Sequence, residues 1–158
     1  MKKDFFDILD KIMEKDESIH LIFCGLGYPR VDEFLTKYPG RAINTEASEQ
    51  TALDIAVGLA YSGKVPFVYT ITPFLYRAFE TIRTYINHES LNVKLIGVGR
   101  GGEYSEHDGF SHFAGDIREI LGTQKNIVQY YPNVKSELEE ILNKTSVVLE
   151  PAFINIKR

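Results

Sequence analysis

Apolar positions along this chain follow two rhythms. Five short runs rich in β-branched and aromatic residues, His20–Cys24, Val65–Ile71, Val93–Val98, Ile127–Tyr131 and Ala152–Ile156, read as strands buried on both faces. Between them, apolar residues recur every three or four positions, which predicts helices over Lys3–Glu14, Val31–Lys37, Ala47–Tyr61, Phe74–Asn87, Gly115–Leu121 and Lys135–Asn143. Strands alternating with helix-length crossovers predict an α/β fold, a doubly wound, mostly parallel sheet with helices on both faces. No internal repeat, low-complexity tract or linker interrupts the pattern. With 158 residues, 44% of them hydrophobic, the chain suits one domain over residues 1–158.

Sheets of this kind bind ligands beyond the carboxyl ends of their strands, so the residues after each strand carry the chemistry. The first strand is followed by Gly25-Leu26-Gly27, the second by Thr72-Pro73-Phe74, and the third by Gly99-Arg100-Gly101-Gly102. The last of these opens a long loop dense in groups that bind or move protons: Arg100, Glu103, Glu106, His107, Asp108, Ser111 and His112. Such a loop suits an active site, and it equally suits a solvated glycine-rich surface. His107, Asp108 and His112 match no established metal-ligand spacing. Gly25-Leu26-Gly27-Tyr28 lacks the full glycine spacing of a dinucleotide fingerprint, and no Walker loop or nucleophile elbow is present.

The run Asn44–Gln50 leads into an apolar helical stretch, and the positions sharing a face with Glu49 are Leu53, Ala56, Val57 and Ala60. A carboxylate heading a buried stripe must find a partner or have its ionised form disfavoured, which is one route to a general acid or base. The alternative is that Glu46 and Glu49 only favour the positive end of a helix dipole, with Thr45 as the cap. Pro73 suits the first turn of the next helix and sets Phe74 beside a strand end, to floor a pocket for a flat ring or to fill the core. Arg77, one turn on, is placed to stack on or bond a ligand, or to be an ordinary exposed arginine.

Charge and cysteine usage narrow the partners. Net charge is −4, with 18 basic and 22 acidic residues interspersed, so the electrostatic footprint of nucleic-acid binding is missing. Cys24 is the only cysteine, which excludes an intrachain disulfide and a cysteine metal site and leads us to expect the reducing cytoplasm. The start, Met1-Lys2-Lys3-Asp4, has no apolar signal core, and no apolar run has bilayer length, so a soluble, unprocessed chain without membrane association is expected.

Taken in order, these segments resemble the pyrimidine-binding domain of the transketolase family of thiamine diphosphate enzymes. The resemblance rests on Arg41-Ala42-Ile43-Asn44 through Glu49-Gln50 to Ala56-Val57-Gly58-Leu59-Ala60, on Phe74-Leu75-Tyr76-Arg77-Ala78, on Asp108-Gly109-Phe110-Ser111-His112, and on the final Pro151–Arg158. It implies the pyrimidine-binding type of thiamine diphosphate fold, with Glu49 as the catalytic acid that bonds the aminopyrimidine ring nitrogen. It further implies Phe74 stacked on that ring with Ile71 and Arg77 beside it, and His112 as a second catalytic residue. Asp108 and His112 would face substrate hydroxyl and carbonyl groups, and Arg100 and Arg158 would bind a sugar phosphate.

Gly25 departs from the pattern, since many relatives carry an aspartate there. The sequence also lacks the family's glycine-aspartate-glycine motif and following asparagine, which hold the diphosphate through Mg2+ or Ca2+, and its carboxyl-terminal domain. The resemblance therefore implies a separate diphosphate-binding subunit holding the metal, in a hetero-oligomer with a homodimeric core. The implied reaction is transfer of a two-carbon ketol unit between sugars or phosphosugars. The alternatives are a split 2-oxo acid decarboxylase or acyloin-forming enzyme, and a non-catalytic binding module.

Overall fold

The computed structural model describes residues 1–25 and 29–158, with the side chains of Ser105 and Glu106 also outside the description. Leu26, Gly27 and Tyr28, in the loop after the first strand, thus lie outside the described residues. Six strands form one parallel sheet: β1 (Ile19–Phe23), β2 (Ala42–Asn44), β3 (Val65–Ile71), β4 (Lys94–Val98), β5 (Val128–Tyr130) and β6 (Ala152–Ile156), in the order β2-β1-β3-β4-β6-β5. Helices α1 (Lys2–Lys15), α2 (Arg30–Lys37), α3 (Glu49–Tyr61), α4 (Phe79–Thr81), α5 (Ser105–Asp108), α6 (Ile117–Gly122) and α7 (Lys135–Val147) lie between and around the strands. The predicted doubly wound α/β architecture is the one observed.

Strand alternation divides the core into two layers. Leu21, Phe23, Phe67, Tyr69, Ile96, Val98, Ile154 and Ile156 pack with α1, α2 and α7, around stacked and edge-on contacts among Phe5, Phe6, Phe23, Phe34 and Tyr69. Ile22, Val68, Leu95 and Phe153 face the other way, against α3, α6 and the segment 72–88. Both layers are dry, which is why the four central strands read as continuous apolar runs.

Two elements differ from the sequence expectation. β2 is absent from the predicted strands because its three residues, Ala42-Ile43-Asn44, are too few and too mixed to form a run; it pairs with β1 at the sheet edge. The predicted helix Phe74–Asn87 is a composite: a 3-10 stretch over Thr72–Ala78, the single α-turn α4, and a π-helical stretch over Ile82–His88. Leu75, Ala78, Ile82 and Ile86 keep the apolar face that the periodicity detected, while the winding changes beneath them.

Candidate active site

Glu49 is the first residue of α3 and is only 1% exposed. The chain reaches it from β2 through a tight loop. Asn44 Oδ1 accepts from the N–H groups of Gly25 (3.2 Å) and Glu46 (3.0 Å), and Thr45 Oγ1 donates to Phe23 O (3.1 Å). Thr45 therefore ties the loop to β1 and does not cap α3, as the dipole reading expected; Ser48 stands at the cap position. Leu53 and Ala56 continue the stripe as fully buried residues, whereas Val57 and Ala60 are half-buried.

Two groups satisfy the buried carboxylate. Thr70 Oγ1, fully buried in β3, donates to Oε1 at 3.2 Å, and Arg77 Nη1 donates to Oε2 at 2.9 Å. A desolvated carboxylate needs this compensation, and here it comes from a side chain that is itself 50% exposed. Arg77 arrives there by local winding. In the 3-10 stretch Thr72–Ala78, residues three apart eclipse one another, so the guanidinium lies over the Phe74 ring with Cζ 4.1 Å from its centroid. Pro73 sits in the first turn, where its missing N–H costs nothing. Ile71 ends β3 half-buried beside this turn.

The loop after β4 packs against Phe74 from another side. The His112 ring meets Phe74 edge-on, with centroids 4.9 Å apart, and Ser111 Oγ lies 3.1 Å from His112 Nδ1. Tyr104, which the sequence reading missed, lies 6.0 Å from the His112 ring and carries the Arg158 guanidinium on its face at 4.2 Å. It is seated against Gly99, where an added Cβ would fall 2.4 Å from the tyrosine ring. Arg158 Nη1 donates to Glu103 O at 3.1 Å and to Asp108 Oδ2 at 3.4 Å. Glu49, Arg77, Phe74, His112, Tyr104, Arg158 and Asp108 thus form one chain of contacts.

Arg100 joins it through Glu103, whose Oε2 accepts from the backbone N–H groups of Arg100 (3.1 Å) and Arg158 (2.8 Å). The Arg100 guanidinium is spent on Pro132 O, Asn155 O and Asn133 Oδ1. It borders a cavity of about 200 Å3 together with Arg118, whose guanidinium stacks on Tyr131 at 3.8 Å. Beneath the strand ends, the Asn155 amide donates to Thr72 Oγ1, Gly97 O and Gly99 O at 2.8, 2.9 and 3.1 Å, and Thr72 Oγ1 donates to Gly99 O at 2.6 Å. Tyr104 and Arg118 carried no signal in the sequence, being single residues outside any motif, while Thr70 and Thr72 were visible there only as parts of a strand and of the segment after it.

Cys24 closes the buried side near Glu49. Burial, with the Glu49 carboxylate adding to it, pushes its thiol up to about 12, so it supplies no nucleophile at neutral pH. Gly25, with φ of +51°, leaves no space for an aspartate, because an added Cβ would lie 2.7 Å from the Glu46 carbonyl carbon and 2.9 Å from the Ala47 nitrogen.

The donor set suits a flat nitrogen heterocycle. A planar cation with N–H groups already rests on Phe74 and bonds Glu49, and a ring carrying a protonatable nitrogen makes the same two demands. Among the described residues, no three His, Cys, Asp or Glu side chains come together to hold a metal ion, and no helix is long and apolar enough to cross a membrane.

Comparison with known proteins bears on the fold and the family. The chain is 29% identical to one subunit of the apulose-4-phosphate transketolase of Actinobacillus succinogenes, over 80% of its own length and 41% of that protein's. It is 26% identical to a 6-deoxy-6-sulfo-D-fructose transketolase subunit of a Clostridium species, covering 100% of this chain and 49% of the relative. It spans about half the length of such relatives, or less. Among solved structures, a split-gene transketolase described as an inactive beta4 tetramer superposes with a TM-score of 0.86 at 26% identity, over 99% of this chain and 51% of that one. The transketolase of Campylobacter jejuni shares the fold at a TM-score of 0.82 and 15% identity, over 97% of this chain and 24% of that one. The family defined as the transketolase pyrimidine-binding domain matches residues 2–154, and the chain belongs to it.

Proposed function

We propose that this chain is the pyrimidine-binding part of a split, transketolase-like enzyme that moves a two-carbon ketol unit between anionic sugars. The observation that carries the reading is the buried Glu49 carboxylate, bonded to a planar cation that lies on the face of Phe74. Thiamine diphosphate, when bound, supplies the nucleophilic carbon that carries the ketol unit. Glu49 would bond the pyrimidine nitrogen, with Thr70 fixing the other carboxylate oxygen; a hydrogen bond made in so dry a setting is strong and shifts the proton affinity of the ring it grips. Phe74 and Ile71 would hold the ring's plane. His112, oriented by Phe74 and Ser111, would exchange a proton with a substrate oxygen, and Asp108 would accept from a substrate hydroxyl.

The diphosphate and its Mg2+ or Ca2+ are assigned to a partner subunit, a reading supported by relatives named as transketolase subunits. Two features support a covered surface beside the cleft. Phe110, 85% exposed, stacks on Phe113 at 5.7 Å next to His112, and α3 keeps Ile55, Val57 and Leu59 only half-buried. An anionic sugar is favoured by the exposed Arg158 after the last strand and by relatives named for a phosphosugar and a sulfosugar.

The deciding experiment reconstitutes the chain with its diphosphate-binding partner and compares wild type with Glu49→Gln. Exchange of the thiazolium proton is expected to slow by orders of magnitude, and unchanged exchange would refute the assignment. Product analysis with phosphosugars against 2-oxo acids separates ketol transfer from decarboxylation.

A further inference from the structure

We propose that Arg77 is the chain's own stand-in for the aminopyrimidine ring: without cofactor its guanidinium fills the place between Phe74 and Glu49, and it swings into solvent when the ring enters. The inference deepens the proposed function and rests on it. Two contacts define the place. The guanidinium Cζ is 4.1 Å from the Phe74 centroid, and Nη1 is 2.9 Å from Glu49 Oε2. An aromatic face and a buried carboxylate are also what a flat, protonatable heterocycle requires, so ring and guanidinium compete for the same groups.

The two partners differ in how easily they can leave. Glu49 is 1% exposed and is held at the head of α3 by the backbone, with Thr70 on its second oxygen. Left without a cation or a ligand, it would be a buried charge with half its bonding unmet, the costliest state for this site. The Arg77 side chain is 50% exposed, on a long flexible stem near the end of a 3-10 stretch, so on leaving it regains water, and the Phe74 face it uncovers is the one the entering ring would cover. The arginine therefore protects the free chain against that state, and the same contact weakens cofactor binding until a partner chain supplies the rest of the site.

The test uses the hydroxymethylated aminopyrimidine half of thiamine, which needs nothing from a diphosphate-binding partner. Titrated calorimetrically into the full chain, it is expected to bind Arg77→Met about tenfold more tightly than wild type, and Glu49→Gln more weakly than both. In wild type, the side-chain Nε–H resonance of Arg77 should move towards that of a solvated arginine as the probe saturates. This readout stands even where Arg77→Met does not fold. Equal or weaker binding by Arg77→Met, or an Arg77 resonance that saturation leaves in place, overturns the stand-in while the Glu49 assignment survives. Undiminished binding by Glu49→Gln overturns the assignment itself. Absence of binding to both wild type and Arg77→Met also overturns the stand-in, since removing the arginine would have opened the site.

Discussion

Replacing Gly25 by alanine adds a single methyl group at the loop that delivers Glu49, and the structure separates its cost into two parts. The first is conformational. Gly25 has φ of +51°, where an L side chain costs about 1–2 kcal/mol. The second is steric. The new Cβ would sit 2.7 Å from the Glu46 carbonyl carbon and 2.9 Å from both Glu46 Cα and Ala47 N, all backbone atoms that cannot rotate aside. Forcing such a contact apart adds about 1–3 kcal/mol. Gly40 provides the control, because its φ is +78° yet an added Cβ would meet nothing within 4 Å. Gly40→Ala is thus expected to cost about 1–2 kcal/mol and Gly25→Ala about 2–5 kcal/mol. The difference is readable as a drop in the urea midpoint at constant slope. The strain should also reach the site. Glu46 and Ala47 lie just before Glu49, so Gly25→Ala is expected to weaken binding of the aminopyrimidine probe, whereas Gly40→Ala leaves it unchanged. A Gly25→Ala variant no less stable than Gly40→Ala would refute the steric reasoning and show that position 25 accepts a side chain.

Three other outcomes follow from the packing. Asn155→Leu removes an amide that bonds Thr72 Oγ1, Gly97 O and Gly99 O in the dry sheet edge, and should destabilise the chain by about 2–3 kcal/mol in chemical denaturation; a loss under about 0.5 kcal/mol would mean the strand ends do not depend on it. Lys94 is fully buried, with Nζ on Asn92 Oδ1, Val148 O and Glu150 O, and burial lowers it from its ordinary 10.5 to about 8, opposed by the Glu150 charge. Between pH 8 and 10.5 the unfolded chain then holds a proton that the folded chain has released, so stability attributable to Lys94 should rise with pH across that window. Lys94→Met should abolish that rise in pH-dependent melts, and an identical slope in both proteins would contradict it. Tyr104→Ala should loosen both His112 and Arg158 while leaving Glu49 in place, so probe binding persists whereas ketol transfer in the reconstituted enzyme falls at least tenfold; undiminished transfer would remove Tyr104 from the site.

The fold was legible wherever a strand was buried on both faces. β1, β3, β4 and β6 lie inside the sheet, and their sequences had no choice but continuous apolar runs. β2 escaped because its mixed residues Ala42-Ile43-Asn44 form no apolar run, whereas β5, an edge strand of the same length, was found through the run Ile127–Tyr131 around it; β2 depends on pairing with β1 through Leu21, Ile22 and Phe23. In the segment 72–88, apolar spacing reported which side faces the core and said nothing about winding. The change from 3-10 to π geometry conserves the buried positions Leu75, Ala78, Ile82 and Ile86 while altering how many residues span them.

Winding is also where the site exceeded its sequence. Phe74 and Arg77 are three residues apart, and in an α-helix that spacing sets them on neighbouring but offset positions; in a 3-10 turn it sets one over the other. The stripe below Glu49 announced a buried carboxylate in need of a partner, yet the identity of that partner depended on this turn, since only the tighter winding brings the guanidinium over the Phe74 ring and within 2.9 Å of Oε2. Arg100 shows the converse. Its position at a strand end was readable, but its donors are consumed by carbonyls of Pro132 and Asn155, acceptors that belong to the backbone and leave no trace in side-chain identity. A motif thus locates a charged residue at the edge of a sheet, while the count of backbone acceptors around it decides whether that charge braces the loop or remains open to a ligand.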